Sequence, residues 1–302
     1  MLEKAYYLPF SVFPGIGPKR FGELLTFFHT AKAIWEASES DLAQIIGKTL
    51  AKQFAVFKQT FSLDSYLEEL EKAHVWFMTP EEGNYPSLLQ EVPNRPFVLY
   101  GRGDKEVLHL RPAVGVVGTR KVSNYGKQVT QQFTSELVQA DCIIISGLAM
   151  GVDALAHQTT IEYHGKTVAV LGCGVDMCYP SSNQRIYQQI IASGGAIVSE
   201  YPLHMPPSVG SFPSRNRIIA GLSEVLLVTE GAADSGALIT AKDTFGLNRT
   251  VFAIPGQITS SLSKGTNLLI RQGAKVALEA KDILDTLGVR SGEGSLRNIH
   301  SR

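Results

Sequence analysis

The segment Phe212-Pro213-Ser214-Arg215-Asn216-Arg217 puts an aromatic ring, two guanidinium groups and an amide within six residues, and no Asp or Glu occurs from Tyr201 to Ser223. A ring beside cations with no nearby acid suits single-stranded nucleic acid. The ring stacks an unpaired base while the guanidinium groups take phosphates. Two other segments offer matching donors. Gly118-Thr119-Arg120 joins glycine backbone to a cation, and Ser146-Gly147 opens a loop of small residues. Where no side chain intervenes, backbone N–H groups can approach a phosphate closely.

Phe13-Pro14-Gly15-Ile16-Gly17-Pro18-Lys19 sets an apolar residue between two glycines ahead of a helix and resembles a helix-hairpin-helix turn. Gly15, Gly17 and Lys19 are therefore candidates for a secondary DNA contact at a helix N-terminus. Familiar nucleotide motifs fail. Gly47-Lys48-Thr49 and Gly165-Lys166-Thr167 carry Leu42 and Thr160 where a P-loop needs its first glycine, and no dinucleotide fingerprint is complete. Neither ATP nor NAD is expected as a cofactor. Ser146 is not in a G-x-S-x-G elbow, and Asp153 and His157, one helical turn apart, lack a nucleophile nearby; a capping carboxylate and a packed imidazole are expected. Glu230, in the loop Glu230 to Gly236, is a carboxylate placed for acid-base chemistry but without a partner.

These loops need a frame, and the sequence supplies one. Six apolar runs, Ala113 to Val117, Cys142 to Ile145, Thr167 to Leu171, Ala196 to Val198, Val225 to Val228 and Thr250 to Ile254, are short, rich in Val and Ile, and mostly separated by helical spacing. They read as buried parallel strands of an α/β, extended Rossmann-like sheet. Gly118-Thr119-Arg120 and Ser146-Gly147 directly follow such runs, where open α/β sheets bind ligands. Helices are expected over Asn124 to Ala140, Gln184 to Ala192, Ser214 to Leu222 and Gly236 to Phe245. The chain divides into a small helical domain, residues 1–75; an extended proline-rich connector, residues 76–110, with a strand at Phe97 to Tyr100; the α/β domain, residues 111–288; and a flexible tail, residues 289–302.

Lys plus Arg and Asp plus Glu number 28 each, so bulk charge does not point to nucleic acid. Distribution does. Residues 1–106 carry 11 basic and 14 acidic side chains, and three later stretches, Val107 to Ser135, Tyr201 to Ser223 and Thr244 to Leu278, contain no acid. Their cations, Arg111, Arg120, Arg217 and Arg249 among them, predict a basic face. Cys142, Cys173 and Cys178 are an odd set beside predicted strands, which argues for buried thiols, a reducing cytoplasmic location and no metal site. No apolar run is long enough to span a bilayer, and no membrane association is expected.

Taken in order, Gly118-Thr119-Arg120, Ser146 to His157, Gly172 to Pro180, Ser199-Glu200-Tyr201-Pro202, Phe212 to Ser223 and Ser235 to Ala241 resemble the DNA-processing protein DprA (Smf) family. The resemblance implies a Rossmann-like domain that binds single-stranded DNA, forms homodimers, protects incoming strands in natural transformation and helps load the RecA recombinase. It also implies an N-terminal domain of the sterile-alpha-motif or helix-hairpin-helix kind. Strand-holding residues by motif would be Gly118, Thr119, Arg120, Ser146, Gly147, Phe212, Arg215, Asn216 and Arg217, with no catalytic residue. Two departures stand out: Asn248 precedes Arg249 where the family usually has Gly, and the 302 residues include no C-terminal winged helix such as many members carry. The alternative is a nucleoside-monophosphate-binding protein or phosphoribohydrolase. Such hydrolases carry a P-G-G-x-G-T-x-x-E loop, and here Glu230 to Gly236 stands at the comparable strand end.

Overall fold

A computed structural model describes residues 3–289. Apart from Val289, the expected tail lies outside them. Nine strands form one sheet: β1 (Trp76–Met78), β2 (Leu99–Gly103), β3 (Ala113–Val117), β4 (Ile143–Ser146), β5 (Thr167–Val170), β6 (Ala196–Ser199), β7 (Val225–Val228), β8 (Thr250–Ala253) and β9 (Lys275–Val276). Their order is β1-β2-β6-β5-β4-β3-β7-β8-β9. From β6 to β9 every pairing is parallel, and β1 and β2 add antiparallel at one edge. The six predicted runs are β3 to β8. Every residue of β3 to β7 is buried, because helices cover both faces and leave no polar side to mark by alternation.

The chain steps outward from β3 through β4 and β5 to β6, then returns to lay β7 on the other side of β3. Order therefore reverses between β3 and β7, and loops on either side of that point leave in opposite directions and open a crevice.

Six helices precede the sheet: α1 (Leu8–Val12), α2 (Pro18–Phe28), α3 (Ala31–Glu36), α4 (Glu39–Ile46), α5 (Lys48–Thr60) and α6 (Leu63–Lys72). Phe10, Phe21 and Phe54 are fully buried among them. This unit is docked, not tethered. Phe21 stacks on Phe97 with ring centroids 4.3 Å apart, the Tyr66 hydroxyl accepts from the Leu203 N–H at 3.3 Å, and the His204 ring lies between Glu69 (2.6 Å) and Asp176 (3.0 Å). One hydrophobic cluster runs from Phe10 and Phe54 through Tyr100 to Ala169 and Ile197 of the sheet.

Residues 76–110 are more than a connector. Besides β1 and β2 they hold α7 (Ser87–Gln90), and the Trp76 indole donates to the Gly103 carbonyl at 2.9 Å. A Cβ on Gly101 would overlap that indole, so the glycine admits the ring that ties the two strands together. Proline marked this segment as an extended connector; within it, a glycine makes room for a cross-strand contact.

The remaining helices are α8 (Asn124–Gln139), α9 (Val152–Glu162), α10 (Gln184–Ala192), α11 (Ser211–Leu222), α12 (Ala237–Gly246), α13 (Lys264–Arg271) and α14 (Ala280–Leu287). Helix α11 begins at Ser211, three residues before the predicted start, so Phe212 lies in its first turn.

The predicted basic face is smaller than its cations suggest. Arg111 donates to the Leu108 and Leu110 carbonyls. Arg249 turns inward, donating from Nη1 to the Ala220, Gly221 and Ser223 carbonyls and from Nη2 to Leu88 O and Glu91, all within 2.9 Å. Asn248 before it takes a left-handed φ of 56°, which Asn tolerates better than most side chains. Arg249 thus closes the C-terminal end of α11 onto α7. We expect Arg249→Ala to lower the unfolding free energy by about 3 kcal/mol, since it strands several carbonyls, as read by urea denaturation. A loss below about 1 kcal/mol would show that water replaces the guanidinium.

Candidate nucleic-acid interface

A small cleft opens at the carboxyl ends of β3, β4 and β5, with Arg120, Gly147, Met150, Cys173, Tyr179, Phe212 and Arg215 in its walls. Helix α11 brings the last two. Phe212 and Arg215 are three positions apart and share a helix face.

Arg215 is only 4% exposed, and its guanidinium lies directly against Gly147. A Cβ on Gly147 would overlap the Arg215 Nη1, which accounts for glycine there. The Nε and Nη1 atoms are buried with no hydrogen-bond partner. Buried polar groups are almost always hydrogen-bonded, and an unpartnered buried cation is costly. Burial pushes the Arg215 pKa down, with the Asp153 charge opposing.

Asp153, in the first turn of α9, accepts from the Gly147 N–H at 3.2 Å and the Ala149 N–H at 3.4 Å, and so fixes the loop that Arg215 rests on. Burial raises its pKa, and Arg215 is the largest opposing influence. One turn on, His157 Nδ1 pairs with the Thr167 hydroxyl at 2.7 Å; burial, then the Arg215 charge, push its pKa down to about 3, leaving the ring neutral at pH 7. The imidazole is packed as expected, whereas the carboxylate holds the Gly147 loop and caps no helix.

The rim is aromatic and cationic. The exposed Arg120 guanidinium sits over the Phe212 ring, 5.4 Å from its centroid, and Tyr179, 46% exposed, packs on Phe212 with centroids 5.4 Å apart. Tyr179 and Met150 were missed as site residues, although both lie within the motifs that carry the family resemblance. Their signal was an apolar side chain in a glycine-rich loop, which sequence alone cannot tell from core.

Other predicted residues do different work. The Ser146 hydroxyl is buried and donates to the Val116 carbonyl at 2.7 Å. Thr119 spends its N–H on the Glu230 carbonyl at 2.8 Å, and a Cβ on Gly118 would meet Val152 and that same carbonyl. Gly118 and Thr119 therefore shape the loop that presents Arg120. Asn216 donates to the Gly236 carbonyl at 3.3 Å. Arg217 leaves on another face of α11 and forms a bidentate pair with Glu200, at 2.9 and 2.6 Å. Burial raises the Glu200 pKa and Arg217 opposes it. Gly17 and Lys19 line a separate groove; neither they nor Gly15 borders the cleft.

Glu230 is 3% exposed and accepts from the Ser123 N–H at 2.8 Å and the Ser123 hydroxyl at 2.5 Å, bracing the start of α8. Its carboxylate is committed to that turn.

The sequence matches the family model for DNA recombination-mediator protein A over residues 76–288. The chain belongs to that family, also called DprA or Smf. Protein Smf of Synechocystis is 39% identical over 95% of this chain and 73% of its own length. The DNA processing protein DprA of Streptococcus pneumoniae is 40% identical over 66% of this chain and 70% of its own. The X-ray structure of the Streptococcus pneumoniae protein superposes with a TM-score of 0.81 at 32% identity, covering 95% of this chain and 98% of the other. A structure concerning the single-stranded DNA binding mode of DNA processing protein A from Helicobacter pylori superposes with a TM-score of 0.63 at 30% identity, over 71% of this chain and 97% of that one. The matched region opens at β1, the first strand of the sheet.

Contact between Gly147 and Arg215 can be tested without any ligand. Gly147→Ala should cost about 1–3 kcal/mol by overpacking, and most of that cost should vanish in an Arg215→Ala background. Equal costs in both backgrounds would mean that the guanidinium does not occupy the space beside Gly147.

Proposed function

We propose that this cleft binds single-stranded DNA and that the protein acts in DNA recombination by presenting the strand to a recombinase. The buried, unbonded Arg215 carries this reading, since a phosphodiester or a base carbonyl supplies the acceptors it lacks. Charge agrees. Arg120 and Arg215 face one carboxylate, Asp153, so a single phosphodiester charge neutralises the cleft. Phe212 and the exposed Tyr179 offer faces to any unpaired base, whereas a duplex hides its bases from them.

The finer roles follow from the family. The recombinase is RecA, the setting is natural transformation in the cytoplasm, and the working form is a homodimer. Three free thiols suit a reducing compartment, and among the described residues no helix is long and apolar enough to cross a membrane. The β9 edge offers a face for a second copy, with Val276 41% and Leu278 73% exposed. No hydrolytic activity is proposed, because the Glu230 carboxylate is engaged with Ser123.

Titrating a labelled oligothymidylate, a matched blunt duplex and a nucleoside monophosphate against the protein tests this reading. Tight oligothymidylate binding is expected, with weak duplex binding, a salt slope of about 0.7 per phosphate held, and no release of free base. Arg120→Ala and Arg215→Ala should each weaken strand binding by roughly 1.5–3 kcal/mol while leaving circular dichroism intact. Equal affinity for duplex, or binding unchanged in both variants, would place the site elsewhere. Base release that disappears in Glu230→Gln would establish the hydrolase instead. Addition of the protein should also speed RecA filament formation on single strands.

A further inference from the structure

A second concavity shares α11 with the cleft. Its walls come from both structural units: Lys19, Arg20 and Glu23 of α2 on one side, and Tyr201, Ser214 and Arg217 on the other, around a volume of ≈650 Å³. Ser214 and Arg217 are three positions apart, as are Phe212 and Arg215. One helix therefore presents one pair to the cleft and the other to this groove. The two sites therefore adjoin neighbouring faces of one helix.

We propose that the groove holds the continuation of the strand gripped in the cleft, so that the N-terminal helical unit and the sheet clamp one single-stranded DNA together. This rests on the cleft being a single-strand site. Charge permits it: Lys19, Arg20 and Arg217 face Glu23 and Glu200, a balance that favours an anion. Lys19 is exposed and, among the described residues, makes no ion pair, so its ammonium is free for a phosphate. Arg20 is partly occupied, donating to the Gly15 carbonyl at 2.7 Å, and Arg217 is held by Glu200. Tyr201 is half-buried in the groove wall and offers its ring to an unpaired base. The interface that joins the units, Phe21 on Phe97 and Tyr66 on Leu203, holds the two walls at fixed separation. The groove is thus a preformed channel.

Strand length separates the two sites. Wild-type protein should bind a 20-nucleotide oligothymidylate more tightly than a 5-nucleotide one. Lys19→Glu should weaken the long strand by about five- to tenfold and lower its salt slope by about 0.7, leaving the short strand unaffected. Ser214→Glu, which puts a carboxylate on the opposite wall without touching the α2 turn, should do the same. Long-strand affinity unchanged in both variants would overturn the proposal, and so would an equal loss for short and long strands. If the wild type binds neither strand, the reading of the cleft itself fails.

Discussion

The site depends on one uncomfortable arrangement, the Arg215 guanidinium buried against Gly147 with two of its nitrogens unbonded. Burying a guanidinium short of hydrogen bonds is costly even with the Asp153 charge nearby, against the roughly 5–15 kcal/mol by which a domain is stable. The sheet beneath can carry that cost, since β3 to β7 are buried along their whole length. Around Arg215 everything is pinned. Asp153 fixes the Gly147 loop, Arg249 closes the far end of α11, and Glu230 braces the Arg120 loop through Thr119 and Ser123. Arg215 differs from the other buried unbonded groups, Thr134, His157 and Thr159, in carrying a charge and lining an open cleft, and the proposed strand binding rests on that difference.

Position within the fold explains why this happens here. The cleft lies to one side of the order reversal at β3, where the loops after β3, β4 and β5 meet α11. The helix then divides its side chains between two concavities. Arg215 and Arg217, two residues apart and alike in sequence, meet different fates: one lies beside glycine with Asp153 near but making no hydrogen bond to it, the other is held in a bidentate pair by Glu200. Docking of the helical unit against β5 and β6 builds the second concavity from surfaces that neither unit forms alone.

Much of this was legible in the sequence, for identifiable reasons. The six strands showed because buried parallel strands are continuous Val and Ile runs, and their ends pointed to Arg120 and Gly147, whereas Phe212 and Arg215 showed as a ring beside cations in an acid-free stretch. Helix α9 was not marked as an element because it is buried on several faces, through Val152, Ala156, Thr159 and Thr160, and lacks a polar stripe. Strand β9 is two exposed residues and leaves no pattern. What the sequence could not supply was pairing at long range. Glu200 and Arg217 are 17 residues apart, and Ser123 and Glu230 are 107 apart, so an arginine free of nearby acids proved neutralised and an unpartnered acid proved committed. The absence of acid from a stretch of sequence predicts charge only where the fold brings none in, which held for Arg120 and failed for Arg217 and Arg249.

The central claim, that Arg215 awaits an acceptor from a single strand, is tested most directly by nitrogen-15 NMR of the arginine side chains. The Arg215 Nε–H resonance, assigned with Arg215→Lys, should move and gain protection from exchange as oligothymidylate is added, saturating together with binding. An Arg215 resonance that stays unchanged while the strand is fully bound would contradict the account.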